Sequence, residues 1–146
     1  MLEKEISKEV SKEGTSREVS EEKEILEEKE ILQELEQFIG TTEYYKVSFW
    51  IIGTEGIKYL CDRCQCYWLM DIVNSVFPRI QKKYSTSFIV WKIEVNANKS
   101  FKVSAWDDTP YKSTMLYRQR GKFTDFPIKD FEFFQVKNVV LLKSEY

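Results

Sequence analysis

From residue 88 onward, apolar and polar positions alternate. Phe88–Val95 sets Ile89, Trp91, Ile93 and Val95 on one face, the two-residue period of a strand. Asn96-Ala97-Asn98-Lys99 is turn chemistry, after which Phe101, Val103 and Ala105 alternate with Lys102 and Ser104. Asp107-Asp108-Thr109-Pro110 reads as a loop, followed by a strand near Ser113–Arg118 that Gly121 closes. Phe131–Val136 and Val139–Leu142 flank Lys137-Asn138 as a final hairpin. Earlier in the chain the period changes. Leu69, Ile72, Val73, Val76 and Ile80 recur at helical spacing and predict one buried helix from about Arg63 to Phe77. Asp62, three residues before Gln65, is placed to cap its start, and Pro78 marks its end or a break before one further turn. Phe49–Ile52 and Ile57–Leu60 flank Gly53-Thr54-Glu55-Gly56, which predicts another hairpin.

Residues 1–39 follow a different pattern. SKEV is followed by SKEG, and EEKEIL is repeated at once. Glu, Lys, Leu and Gln favour helix here, and Gly40 stands where a C-terminal glycine belongs. Ile25, Leu32 and Ile39 lie seven apart, with Leu35 and Phe38 at nearby angles, while Glu28 falls where a seam wants an apolar residue. The stripe suits a helix packed on its own domain, or a short coiled coil that would make an oligomer through this arm. The expected fold is α+β: a mainly antiparallel sheet of five or six strands with one principal buried helix, preceded by an acidic helix. The domains expected are an arm over 1–39 and a globular part over 40–146.

Composition changes this picture in two ways. The net charge of −2 conceals an asymmetry: residues 1–37 hold 13 acids and 6 bases, and the remainder holds 11 acids and 16 bases. Each part can therefore face a partner of opposite charge. The three cysteines all fall within Cys61–Cys66, a poor disulfide framework, which fits a reducing compartment. The N-terminal residues carry charges every two or three positions with no apolar core of a leader, and no apolar run is long enough to span a bilayer. A cytoplasmic protein with no membrane partner is expected.

A resemblance adds to this reading. Gly40 with Thr42-Glu43-Tyr44-Tyr45, Glu55-Gly56 with Lys58-Tyr59, Tyr67-Trp68-Leu69-Met70-Asp71-Ile72, Val90-Trp91-Lys92, Thr124-Asp125-Phe126-Pro127, and Leu141-Leu142 with Ser144-Glu145-Tyr146 run in order through the chain. Over residues 40–146 the chain resembles a family of small bacterial proteins, a domain of unknown function met in bacteria including cyanobacteria and in phage-like or plasmid-like contexts. An extra Thr interrupts the family's Gly-Thr-Glu, Lys143 stands where Pro is usual, and the cysteine segment is usually small or polar. The resemblance implies no activity and no catalytic residues.

Candidate chemistry is sparse. Cys61-x-x-Cys64-x-Cys66 has spacing that suits soft metal ligands, yet a closed tetrahedral site wants a fourth, and the chain has no His and no further Cys. Packing at a strand-to-helix junction is the simpler role for these side chains. Cys64, read as lying in the first turn of the predicted helix, would there be an activated thiol. Without His, Ser–His and Cys–His dyads are excluded, which leaves carboxylates: Asp71 inside an apolar run, Glu43, and the Asp107-Asp108 pair. Five scattered glycines form no phosphate loop. Arg118, Arg120 and Lys122, interspersed with Tyr117 and Phe123 and joined by Lys92 and Lys102 from neighbouring strands, make a basic-aromatic cluster of the kind that contacts nucleic acid.

No catalytic centre, metal or cofactor is expected. The first functional expectation is a small non-enzymatic interaction protein, an accessory or inhibitor factor of a mobile element, with a protein as partner. The alternatives are a nucleic-acid binder through the basic cluster and a small enzyme centred on Asp71 or Cys64.

Overall fold

The strand pattern recurs closely in the computed structural model, which describes residues 2–107 and 114–146, with side chains from residue 18 onward. Two units are distinguished, residues 1–34 and residues 35–146. The first is helical: α1 (Leu2–Leu35) carries the acidic repeats. Ile25 and Leu32, two of the three residues of the predicted seven-residue stripe, are exposed, and so is the third, Ile39, in the second unit. Leu35 is buried instead, and Phe38 packs against Tyr59 with ring centroids 5.2 Å apart. The helix ends at Leu35, ahead of Gly40.

The second unit is built on a seven-stranded sheet: β1 (Tyr45–Lys46), β2 (Ile52–Gly53), β3 (Phe88–Val95), β4 (Phe101–Trp106), β5 (Met115–Gly121), β6 (Asp130–Val136) and β7 (Val139–Leu142), in the order β1-β2-β7-β6-β3-β4-β5. The sheet is mixed, not purely antiparallel and not five- or six-stranded. β2 runs parallel to β7, pairing Ile52 with Val139, while every other pair is antiparallel. The extra strands, β1 and β2, are two residues each, too short for an alternation to show.

Two helices stand where one was expected. α2 (Glu55–Cys64) occupies the segment read as the second strand of a hairpin. Thr54 caps it, its hydroxyl accepting from the Ile57 N–H at 3.3 Å. Gln65 then takes the left-handed conformation at φ 51° and ends it, so Asp62 lies inside α2 and does not cap the next helix. α3 (Tyr67–Tyr84) follows and continues through Pro78 to Tyr84. Among the described residues, no helix is long and apolar enough to cross a membrane.

The sheet has two distinct faces. Trp91, Ala105 and Phe133 share one register row, and Phe101 on the same face stacks edge-on against Trp68 of α3. This is the helix-covered core, with Ile57, Leu60, Leu69, Val73, Ile89 and Ile93 buried. Trp91 is tied in by its Nε1–H, which donates to the Gln135 Oε1 at 2.8 Å, and Gln135 Nε2 donates in turn to the Lys137 carbonyl at 2.8 Å. The opposite face divides by register. Val90, Phe134 and Leu141 form an apolar patch with Phe88, Trp106 and Val136, and the rows beyond are charged. The Lys137-Asn138 hairpin and the Asn96–Lys99 turn stand as predicted. The described residues nearest the Asp108–Pro110 loop are Asp107 and Thr114. Their backbones bond at 3.1 Å, and the Thr114 N–H donates to the Asp107 carboxylate at 2.9 Å. The loop reading for Asp108–Pro110 and the strand start at Ser113 lie outside the described residues; the strand itself is Met115–Gly121.

Candidate interaction surface

The most exposed aromatic pair lies between β1 and β2. The N–H groups of Val47 and Ser48 both donate to the Ile51 carbonyl, at 3.2 and 3.4 Å, closing a tight loop. Val47 and Ile51 point inward and are buried. Two hydrogen bonds then fasten the loop to α3: the Ser48 hydroxyl donates to the Asp71 carboxylate at 2.8 Å, and the Trp50 N–H donates to Asn74 Oδ1 at 2.6 Å. Asp71 and Asn74 are three apart and therefore neighbours on one helix face. With its ends buried and its middle tied down, the loop has Phe49 and Trp50 facing water, each 66% exposed. Their rings meet edge-to-face at 4.6 Å, and Lys46 Nζ lies 5.3 Å from the Phe49 ring centroid. An aromatic side chain left in water forgoes about 1.5–3 kcal/mol of burial. A rigid pair of this kind is the usual form of a recognition anchor.

The sequence pattern missed this pair, because four consecutive apolar residues read as a strand of the core. The exposure comes from Asp71 and Asn74, whose distance along the chain hides the connection. Asp71 itself is exposed and spends its carboxylate on loop anchoring.

A second constellation gathers the residues that carry the family resemblance. Glu145 reaches the N-terminus of α2: one carboxylate oxygen accepts from the Thr54 hydroxyl at 2.5 Å and the Leu142 N–H at 3.0 Å, and the other from the Gly56 N–H at 3.2 Å. A carboxylate belongs at this positive pole. A Cβ at Gly56 would lie 2.5 Å from the Glu145 carboxylate and from Leu142, so only glycine admits the approach. On the other side Thr42 donates to Glu55 at 2.9 Å, and the Glu55 N–H donates to the Thr41 hydroxyl at 3.1 Å. Tyr45 donates to Glu43 at 2.9 Å, which raises the Tyr45 phenol. Along α2, Lys58 donates to Asp62 at 2.7 Å and Tyr67 donates to the same carboxylate at 2.5 Å. The bond from Lys58, then that from Tyr67, holds the Asp62 carboxyl below its ordinary range, and the same contact with Asp62 holds Lys58 protonated. These groups are bonded to one another and brace the chain; Glu43, a candidate base, belongs to this bracing.

The thiols are packing material by location. Cys61, Cys64 and Cys66 are buried and outside any disulfide. Cys64 is the last residue of α2, at the negative pole of that helix, and does not lie in a first turn. A hydrogen bond with the Cys61 thiol, and then burial, push the Cys66 thiol well up, away from the reactive thiolate form. Among the described residues, no group of three His, Cys, Asp or Glu side chains is placed to hold a metal ion.

The predicted basic residues do come together. Lys92, Lys102, Arg118 and Arg120 lie on the sheet face turned away from the α2–α3 layer, in register rows that join Lys92 to Ser104 and Arg118, and Glu94 to Lys102 and Arg120. Lys122 follows β5 in an exposed bend. Acids share the face: Lys92 pairs with Glu94 at 3.0 Å and Asp130 at 3.8 Å, Lys102 with Glu94 at 3.2 Å, and Lys143 with Glu132 at 2.6 Å. Arg118, Arg120 and Lys122 are exposed and make no ion pair with a described residue. Tyr117, by the pairing Ala105↔Tyr117, points to the opposite, helix-covered face, and Phe123 is 70% exposed beyond the strand.

This architecture defines a small α+β domain, a mixed sheet covered by two helices and displaying an anchored aromatic loop. The chain belongs to a family of unknown function, DUF6876, whose model matches residues 29–146 and so begins inside α1. No curated protein and no solved structure matches it.

Proposed function

We propose that this protein is a non-enzymatic, cytoplasmic interaction protein that seats the Phe49–Trp50 loop in a pocket on a partner protein. The observation that carries the reading is the combination of high exposure and rigid anchoring at one aromatic pair. A mobile side chain loses freedom on binding, whereas a loop already tied to α3 has little left to lose. Three buried cysteines outside any disulfide suit a reducing compartment. Asp71 and Cys64, the two residues an enzyme would have been built on, are engaged in anchoring and burial. The phage- or plasmid-like settings implied by the resemblance suit an accessory or inhibitor factor that works by occupying a surface.

The test is affinity capture from the native host with the wild-type chain and with Phe49→Ser/Trp50→Ser, whose fold is checked by circular dichroism. Truncating interface anchors of this type costs about 2 kcal/mol or more each, over tenfold in affinity. A protein retained by the wild type and released by the double variant supports the reading. Equal retention by both chains overturns it.

A further inference from the structure

We propose that β5 is a docking edge for an extended acidic peptide, which adds to the sheet as an eighth strand beside Arg118 and Arg120. This surface is separate from the Phe49–Trp50 loop, so either can fail alone.

β5 is the last strand in the sheet order. Its inner edge pairs with β4 from Phe101↔Gly121 to Trp106↔Met115, and no described residue pairs with its outer edge. Seven residues without proline make a long edge, and an open edge is a template for another strand. A second copy of this chain is a poor occupant. Antiparallel pairing of two β5 strands about Gln119 would set Arg118 opposite Arg120 of the other copy on the same face, and like charges directly opposite are destabilising. In that register the edge repels its own copy, whereas an acidic strand meets complementary charge.

The charge distribution points the same way. Inside the face the lysines are neutralised by Glu94 and Asp130, whereas the two edge arginines make no ion pair with a described residue. Guanidinium groups suit carboxylates through paired N–H donors. Side chains two apart on an added strand share one face, so a Glu-x-Glu segment would set two carboxylates beside Arg118 and Arg120. The intervening x would lie beside the half-buried Tyr117 and Gln119, where an apolar side chain fits. A polynucleotide matches less well. Its phosphates would meet Glu94, Asp130 and Glu132 on the same face, and Tyr117 is turned away from any base it could stack.

The probe is a fluorescein-labelled seven-residue peptide alternating valine and glutamate, titrated into the full chain and followed by anisotropy and by amide chemical shifts. Controls are the valine–lysine peptide, glutamate peptides N-methylated at every second amide in either phase, and a single-stranded oligonucleotide. We expect shifts centred on residues 115–121 and loss of binding with one N-methylation phase only. Affinity should fall roughly tenfold with Arg118→Gln/Arg120→Gln, the loss of two exposed charge pairs. Arg118→Glu/Arg120→Glu should prefer the lysine peptide. No binding, equal binding of both N-methylated peptides, or tighter binding of the oligonucleotide overturns the proposal.

Discussion

Gln135 shows how one polar side chain holds the core. It is fully buried, accepts from the Trp91 indole and donates to the Lys137 carbonyl at the β6–β7 turn, where Lys137 takes a left-handed φ of 56°. Replacing it with leucine roughly keeps the volume and leaves the buried Trp91 indole N–H without its partner. Gln135→Leu should destabilise the protein by about 1–3 kcal/mol, read as a lower midpoint in urea with little change of slope. Trp50, a side chain as large as Trp91, should show the opposite behaviour. With its ring in water, Trp50→Ser at this position leaves the urea midpoint nearly unchanged. The pattern of apolar residues could not separate Trp50 from Trp91. Trp91 shares a two-residue spacing with Ile89, Ile93 and Val95, which predicts burial correctly, while Trp50 sits in a short apolar run whose outward turn is fixed by the hydrogen bond to Asn74.

At the scale of elements, the strands with a clear period were legible: β3, β4, β6 and β7 fall within a residue of their predicted bounds. α2 was not. Gly53 and Gly56 bracket a four-residue segment that looks like a turn, and that signal concealed a competing one, a threonine followed by an acid in the first turn. The glycine is there for Glu145 to reach the helix. Glu145→Ala should therefore cost about 1–2 kcal/mol, the loss of a charged cap and its hydrogen bonds, measured by chemical denaturation. The split between α2 and α3 is made by Gln65 in a left-handed conformation, for which the sequence offers no glycine. The charged rows of β3 and β4 carry a pH dependence. Burial pushes the Glu94 carboxyl up, but hydrogen bonds from Lys92 and Lys102 outweigh it and hold the carboxyl below its ordinary value. A depressed folded-state pKa gives stability that is present above the unfolded carboxylate value and lost as pH falls through the folded value. Acidification through the carboxylate range should thus weaken the wild type more than Lys92→Met/Lys102→Met, as shown by urea midpoints at neutral and acidic pH.

For the whole molecule, the two charge domains visible in the sequence correspond to a helix and a sheet domain of different character. The seven-residue spacing of Ile25, Leu32 and Ile39 suggested a seam, yet the apolar residues exposed on α1 do not keep one register. Val19 and Leu26 repeat in one phase, Ile25 and Leu32 in another. A coiled coil needs three or four consistent heptads. The full chain should run as a monomer of 17.5 kDa by light scattering. A dimer that dissociates on Ile25→Ser/Leu32→Ser would restore the arm as an oligomerising element. The parallel pairing of β2 with β7 was beyond sequence reading because it joins two-residue β2 to a strand near the far end of the chain.

That pairing has a consequence for biosynthesis. Ile52 and Gly53 have Lys46 and Tyr45 on one side, but on the other their sheet neighbours are Val139 and Val140, and the start of α2 receives the carboxylate of Glu145. During translation the early half of the domain therefore emerges with its hydrogen-bonding groups waiting. It can close only after residues 139–145 have left the ribosome, which makes truncated products natural substrates for chaperones and proteases.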